Sequence, residues 1–155
     1  MKAKLIIPAV LLLAACKEPA KESAITEKAV TPIEGTWKLV SALKITKGDT
    51  VSTYPVTGQK DEMIKMLNAD HFAFLRHDLD GNKGKRIYDS GAGTYTLEGD
   101  NYTETLQYYT NRAWEGNSFK FKVTFKGDSL IQKGIEKIDS LKIDHEIVET
   151  YVKLK

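Results

Sequence analysis

The segment from Phe119 to Lys126 alternates without a fault. Phe119, Phe121, Val123 and Phe125 fall on one side, and Lys120, Lys122, Thr124 and Lys126 on the other. Successive side chains of a strand point to opposite faces, so this period of two defines a β-strand with one buried face and one wet face. A chain that carries such a strand must supply a sheet to pair its edges and a second apolar surface to cover its Phe/Val face. The rest of the sequence supplies both. From Gly35 onward, clusters of Gly, Asp and Asn recur about every 8–12 residues, with short runs of Tyr, Thr, Phe, Val and Ile between them. This spacing predicts an all-β, antiparallel domain.

Other strands follow the same logic. Thr36 to Leu43 opens the set. Met63 to Leu67 and His71 to His77 read as a hairpin closed by Asn68-Ala69-Asp70, with residues 59–67 open to a second reading as an amphipathic helix. Gly93 to Leu97 and Tyr102 to Tyr109 form a hairpin around Glu98-Gly99-Asp100-Asn101. The Phe119 strand turns at Gly127-Asp128 into Ser129 to Gly134, and the last strand runs from His145 to Leu154. The glycines of Ser90-Gly91-Ala92-Gly93 suit a bulge or a sharp bend. About 8–10 strands in sequential hairpins favour an up-and-down barrel, because closure removes the exposed edges.

The folded part follows a leader. Lys2 and Lys4 precede an apolar run from Leu5 to Ala15 that is broken only by Pro8. The run is shorter than the roughly 20 residues a spanning helix needs, and it has the flanks of a signal peptide. It ends in Leu13-Ala14-Ala15-Cys16, which resembles the bacterial lipobox. That resemblance implies cleavage after residue 15 and a diacylglycerol thioether on Cys16; a secretory signal without a cysteine requirement is the alternative. Residues 17–33 are charged, Ala-, Ser- and Thr-rich, and carry two prolines, the composition of a flexible tether. The expected organisation is therefore a signal peptide at 1–15, a lipidated Cys16 and tether at 16–33, and a barrel domain at 34–155. The expected location is the cell envelope, with the membrane as partner through Cys16. Lys17, in place of Asp, is compatible with the outer membrane by analogy with other lipoproteins.

Composition excludes several functions. Cys16 is the only cysteine, so the domain has no internal disulfide, thiolate metal site or cysteine nucleophile. Loss of Lys2 and Lys4 leaves 21 basic residues against 21 acidic ones, and no basic stripe is interleaved with aromatics, so nucleic acid is not an expected partner. Asp78-Leu79-Asp80-Gly81-Asn82-Lys83-Gly84 has the alternate oxygens of a calcium loop. Lys83 stands where that loop needs glycine and Asp89 where it needs a bidentate Glu, so a polar hairpin loop is the better reading. His71 and His77 share a face but lie about 20 Å apart on one strand, too far for one metal, and His145 does not repair the spacing. No catalytic constellation or phosphate loop stands out, so neither enzyme activity nor a cofactor is expected.

Gly35-Thr36-Trp37, at the start of the first strand, is similar to the opening of a lipocalin-type barrel. The wider pattern GTWKLVS, HFAFLRHD, GAGTYTLEGDNYTE and a terminal E-x-Y resembles the small lipocalin-like lipoproteins of Bacteroidetes, calycin-like barrels mostly without known function. The resemblance covers nearly all of 34–155. It implies that Trp37 closes the barrel floor under a basic residue of the last strand, Lys153 or, as second choice, Lys155. The Thr-Asp-Tyr turn of other lipocalins is absent.

The candidate interior follows from strand phase. Tyr102, Glu104, Leu106 and Tyr108 share a face, and Phe72, Phe74 and Arg76 share another. If both face inward, Glu104 and Arg76 either satisfy one another or hold the polar head of a ligand. Phe72, Phe74, Tyr95, Tyr102 and Tyr108 would then line its site, and Phe119, Phe121 and Phe125 would extend the apolar wall. Two functions from different classes fit. One is a membrane-tethered binding protein for a small apolar or amphipathic ligand. The other is a non-enzymatic structural or protein-interaction module of the envelope with a filled barrel.

Overall fold

The computed structural model describes residues 32–79 and 86–155. The expected signal peptide, Cys16 and most of the expected tether lie outside the described residues, as do Asp80 to Gly84 of the calcium-like loop. Nine antiparallel strands form a single sheet: β1 Gly35–Thr46, β2 Asp49–Tyr54, β3 Asp61–Leu67, β4 His71–Asp78, β5 Tyr88–Glu98, β6 Asn101–Tyr109, β7 Ser118–Lys126, β8 Ser129–Ile138 and β9 Ile143–Lys153. The segment 61–67 is strand, which settles the helix-or-strand alternative. The short β2 has no counterpart in the sequence reading, because its Asp/Thr/Val/Ser run is half polar and almost wholly exposed.

β1 is long enough to hold two neighbours on one edge. Its first half, Gly35 to Lys38, pairs with β3, and its second half, Ala42 to Thr46, pairs with β2. Its other edge pairs with β9 from Trp37↔Lys153 to Ile45↔Glu146. That last ladder closes the sheet, so β1 and β3 to β9 make an eight-strand barrel with β2 as a flap on its wall. Closure leaves no long hydrogen-bonding edge open, which is how a sheet of this size avoids edge-to-edge association.

One end of the barrel is packed solid. Trp37 is buried there and donates its indole N–H to the Ile33 carbonyl at 2.8 Å. Ile33, assigned to the tether by composition, is 1 % exposed and belongs to this core. The Lys153 Nζ lies 5.1 Å from the Trp37 ring centroid, within cation–π range. Gly35 is required beside them: its φ is +130°, and a Cβ there would sit 2.9 Å from the Lys153 Cε. Phe125, expected in the interior, is 37 % exposed; it lies at this rim with its ring 6.2 Å from that of Trp37. Leu67, Phe72, Tyr95, Tyr102, Phe121, Val123, Leu130 and Tyr151 fill the layers above.

Two bulges change the phase of the strands. On β1, Val40 is the extra residue opposite β9, so the inward set Trp37 and Leu39 passes to Ala42. On β6, Gly93 pairs with Leu106 and Ala92 with Tyr108, so Gln107 is the extra residue. Beyond it the inward side chain is Tyr109. Tyr108, expected inward, is 69 % exposed, because strict alternation does not survive the bulge.

Candidate functional site

Above the packed floor the interior changes character. The first polar layer is built by residues that alternate inward from four strands. Lys65 on β3 is 3 % exposed; its ammonium donates to Glu104 Oε2 on β6 at 2.8 Å and to Gln132 Oε1 on β8 at 3.0 Å. It also lies 5.1 Å from the Phe72 ring centroid and 5.0 Å from that of Tyr102. A charge this deep is tolerated only when it is paired and hydrogen-bonded, and here it is both. Two tyrosine–glutamate units complete the layer. Tyr102 donates to Glu104 Oε2 at 2.9 Å, and Tyr151 donates to Glu149 Oε2 at 2.6 Å. Each pair is two residues apart on one strand and therefore shares the inward face. Burial, followed by the neighbouring carboxylate, holds both phenols well above their ordinary range.

Beyond this layer lies a cavity of about 200 Å³. Phe74, Tyr109, Trp114 and Phe119 form its aromatic wall; Lys65, Arg76, Asp89, Glu104, Gln132, Glu136 and Glu149 supply its polar groups. The rings form a chain, with centroids 5.9 Å apart for Phe74–Tyr109, 5.8 Å for Tyr109–Trp114 and 5.9 Å for Trp114–Phe119. Trp114 reaches the cavity from a single 3-10 turn, Arg112–Trp114, between β6 and β7. The Asn111 side chain caps that turn by accepting the Ala113 N–H at 3.2 Å.

Carboxylates dominate the polar side. Glu136 stands 2.8 Å from His145 Nε2. Burial, then the charges of Glu149 and Glu104, push its carboxyl up to about 8. Burial and then Lys44 push His145 down. The raised Glu136 carboxyl and the depressed His145 ring both favour the uncharged form of this contact. Burial also raises Glu149, against the pull of Lys65 and the Tyr151 hydrogen bond. Tyr109 donates to Asp89 Oδ2 at 3.1 Å. Gln132 is 2 % exposed, and its Nε2 has no hydrogen-bond partner among the described residues. Gln132 is part of the cavity lining.

The expected Glu104–Arg76 pair is not formed. Lys65 takes Glu104, and Arg76 Nε donates to Asp61 Oδ2. Arg76 also stacks on Tyr54, 5.6 Å from its centroid. Of the expected lining, Arg76, Glu104 and Phe74 reach the cavity. Phe72, Tyr95 and Tyr102 lie in the packed core beneath it, and Tyr108 lies outside the barrel, its place taken by Tyr109. Sequence reasoning missed Lys65, Gln132, Glu136 and Glu149. The E-x-Y pattern at Glu149 and Tyr151 was the one available signal, since it repeats in reverse the Tyr102-x-Glu104 spacing. In the calcium-like loop, Asp78 accepts the Ile87 N–H at 2.9 Å and Asp89 accepts from Tyr109 and Thr110, so both described carboxylates serve their own chain.

A closed antiparallel barrel with one aromatic, partly polar cavity defines the class: a small barrel of ligand-binding type. The family model described as "Lipocalin-like domain" matches residues 33–132, and the chain belongs to that family. The match begins at Ile33, the first residue of the core. Among matching solved structures is an uncharacterized protein from Bacteroides eggerthii DSM 20697. It shares 12% sequence identity, with coverage of 78% of this chain and 98% of that chain and a TM-score of 0.43. No curated protein matches.

Proposed function

We propose that this chain is a lipid-anchored binding protein of the cell envelope that holds one small amphipathic molecule inside its barrel. The observation that carries this reading is the cavity, where an aromatic wall faces a layer of buried polar groups. A merely structural barrel core gains most from apolar side chains packed to full density, because every buried polar group adds a desolvation cost. Here seven polar side chains line the space, and one of them, Gln132, keeps a free donor. Sites that orient small molecules combine these features: apolar walls with a few convergent polar groups. At about 200 Å³ the volume is modestly above the ~150 Å³ that accepts benzene, so the fitting ligand is compact and a long acyl chain is not enclosed.

Anchoring rests on the Leu13-Ala14-Ala15-Cys16 pattern. Metabolic labelling with a fatty-acid analogue is expected to mark the wild-type protein and to leave Cys16→Ser unlabelled; label retained on the variant refutes the anchor. Binding is tested by extracting the purified full chain and measuring released small molecules by mass spectrometry. A stoichiometric compound that is lost in Phe74→Ala supports the cavity, and no bound compound together with no binding of any small amphiphile refutes it.

A further inference from the structure

We propose that the cavity selects a small organic monocation, an ammonium head on a short apolar body that also carries an oxygen acceptor. This rests on the barrel being a binding site and names the chemistry of what it takes. Charge is the first observation. The cavity and its immediate ion pairs hold two cations, Lys65 and Arg76, against five carboxyl groups, Asp61, Asp89, Glu104, Glu136 and Glu149. Both cations are already matched, Lys65 by Glu104 and Arg76 by Asp61. Asp89, Glu136 and Glu149 have hydroxyl or imidazole partners, but no cation is bonded to them among the described residues. An anionic ligand would find no unmatched cation and the Asp89 carboxylate beside Glu136 and Glu149, two carboxyls that burial raises. A cationic one completes the site.

The wall gives the second observation. Phe74, Tyr109, Trp114 and Phe119 bring ring surfaces to the same space, and aromatic faces attract ammonium groups when water is excluded. The third is independent of charge. Gln132 is almost completely buried and lines the cavity, and its Oε1 is taken by Lys65, which leaves its amide N–H groups as donors at the cavity wall. A donor at the cavity wall suits an acceptor on the ligand, such as a hydroxyl, ether or carbonyl oxygen. A divalent metal is the competing cation. Calcium takes about 6–8 oxygens in one shell, and no group of three His, Cys, Asp or Glu side chains among the described residues is placed to hold a metal.

The test uses three matched probes on the full chain, each with an ether oxygen: 2-phenoxyethylamine, 2-phenoxyethanol and phenoxyacetate, titrated by calorimetry at pH 7, with calcium chloride as a fourth titrant. The amine is expected to bind at least about tenfold tighter than the alcohol, with phenoxyacetate weakest. Glu149→Gln is expected to remove most of the amine's advantage over the alcohol, provided its thermal melt shows a folded barrel. Should that variant not fold, the ranking of the wild-type protein decides alone. Equal binding of amine and alcohol, or preference for phenoxyacetate, overturns the monocation and leaves a binding barrel in place. Calcium binding that excludes the amine also overturns it. No binding of any probe overturns the monocation, and the binding function falls with it only if no compound is released from the purified protein.

Discussion

Lys65 is held in place by partners rather than by water. With its ammonium 2.8 Å from Glu104 and 3.0 Å from Gln132, it is a buried charge whose cost is offset by one ion pair and one hydrogen bond. Removing only the charge of Glu104 leaves Lys65 without its bonded carboxylate. Glu104→Gln should therefore lower stability by about 3–5 kcal/mol in urea melts, the usual range for breaking a buried pair from one side. The double variant Lys65→Met/Glu104→Gln removes both charges and should be less destabilised than Glu104→Gln alone. The reverse order would show that Glu149, not Glu104, is the carboxylate that holds Lys65. Gln132→Leu belongs to the same scale but has a different signature. It deletes the acceptor for Lys65 and the free donor together, so it should reduce stability and ligand affinity at once.

Strand phase separates what the sequence made readable from what it hid. On β7 the alternation is unbroken, and Phe121 is buried while Lys122 is exposed, paired only with Asp100 at the surface. Phe121→Ala should cost about 3–5 kcal/mol and Lys122→Ala under about 0.5 kcal/mol in the same denaturant series. Equal losses would contradict the placement of the strand. On β6 the alternation runs only to Leu106, and the Gln107 bulge exchanges Tyr108 for Tyr109. Gly93 sits opposite that bulge, where a Cβ would lie 1.9 Å from the Thr105 carbonyl oxygen. Gly93→Ala must push the two strands apart and should destabilise by roughly 1–3 kcal/mol or more, with Trp114 emission reporting the disturbed wall. The barrel and its closing residues were thus legible wherever one face was apolar and the other polar. The site was not, because its strands invert that rule. On β8 the inward residues include Gln132 and Glu136, while Ile135 is 57 % exposed. On β3 the two faces are equally apolar, Met63 and Leu67 against Ile64 and Met66, so nothing in the pattern singled out Lys65 as the buried member. A polar cavity inside a small barrel removes the hydrophobic signal at the residues that form it.

The barrel as a whole carries its carboxylates close together, and this makes its stability depend on pH in a defined direction. Glu136 faces Glu149 and His145 on β9, Glu104 and Tyr109 on β6, Lys65 on β3, Arg76 on β4 and Asp89 on β5. Its carboxyl moves from 4.5 to about 8 on folding, chiefly through burial. Between those values the folded protein holds a proton that the unfolded chain has released. Stability from this group is therefore complete below pH 4.5 and is lost as pH rises through 8. Glu149, also raised by burial, acts in the same direction. His145 acts in the opposite one: its folded value is depressed from 6.5, so its contribution is lost as pH falls below that point. From pH 6.5 to 9 the raised carboxyls set the slope, and the raised phenols of Tyr102, Tyr109 and Tyr151 add to it in the same direction only as pH nears 10. Urea melts from pH 6.5 to 9 should show stability falling, by an amount on the order of a few kcal/mol. Glu136→Gln, which keeps a donor for His145 but cannot ionise, should flatten the slope. Stability that rises over this interval would mean that Glu136 is ionised at neutral pH and paired with a protonated His145. A bound ammonium should reverse the fall, because it supplies the positive charge that the three unmatched carboxylates lack. The increase in melting temperature produced by saturating 2-phenoxyethylamine should accordingly be larger at pH 9 than at pH 6.5. An equal or smaller increase would separate the pH response of the empty barrel from ligand binding and assign the raised carboxyls to burial alone.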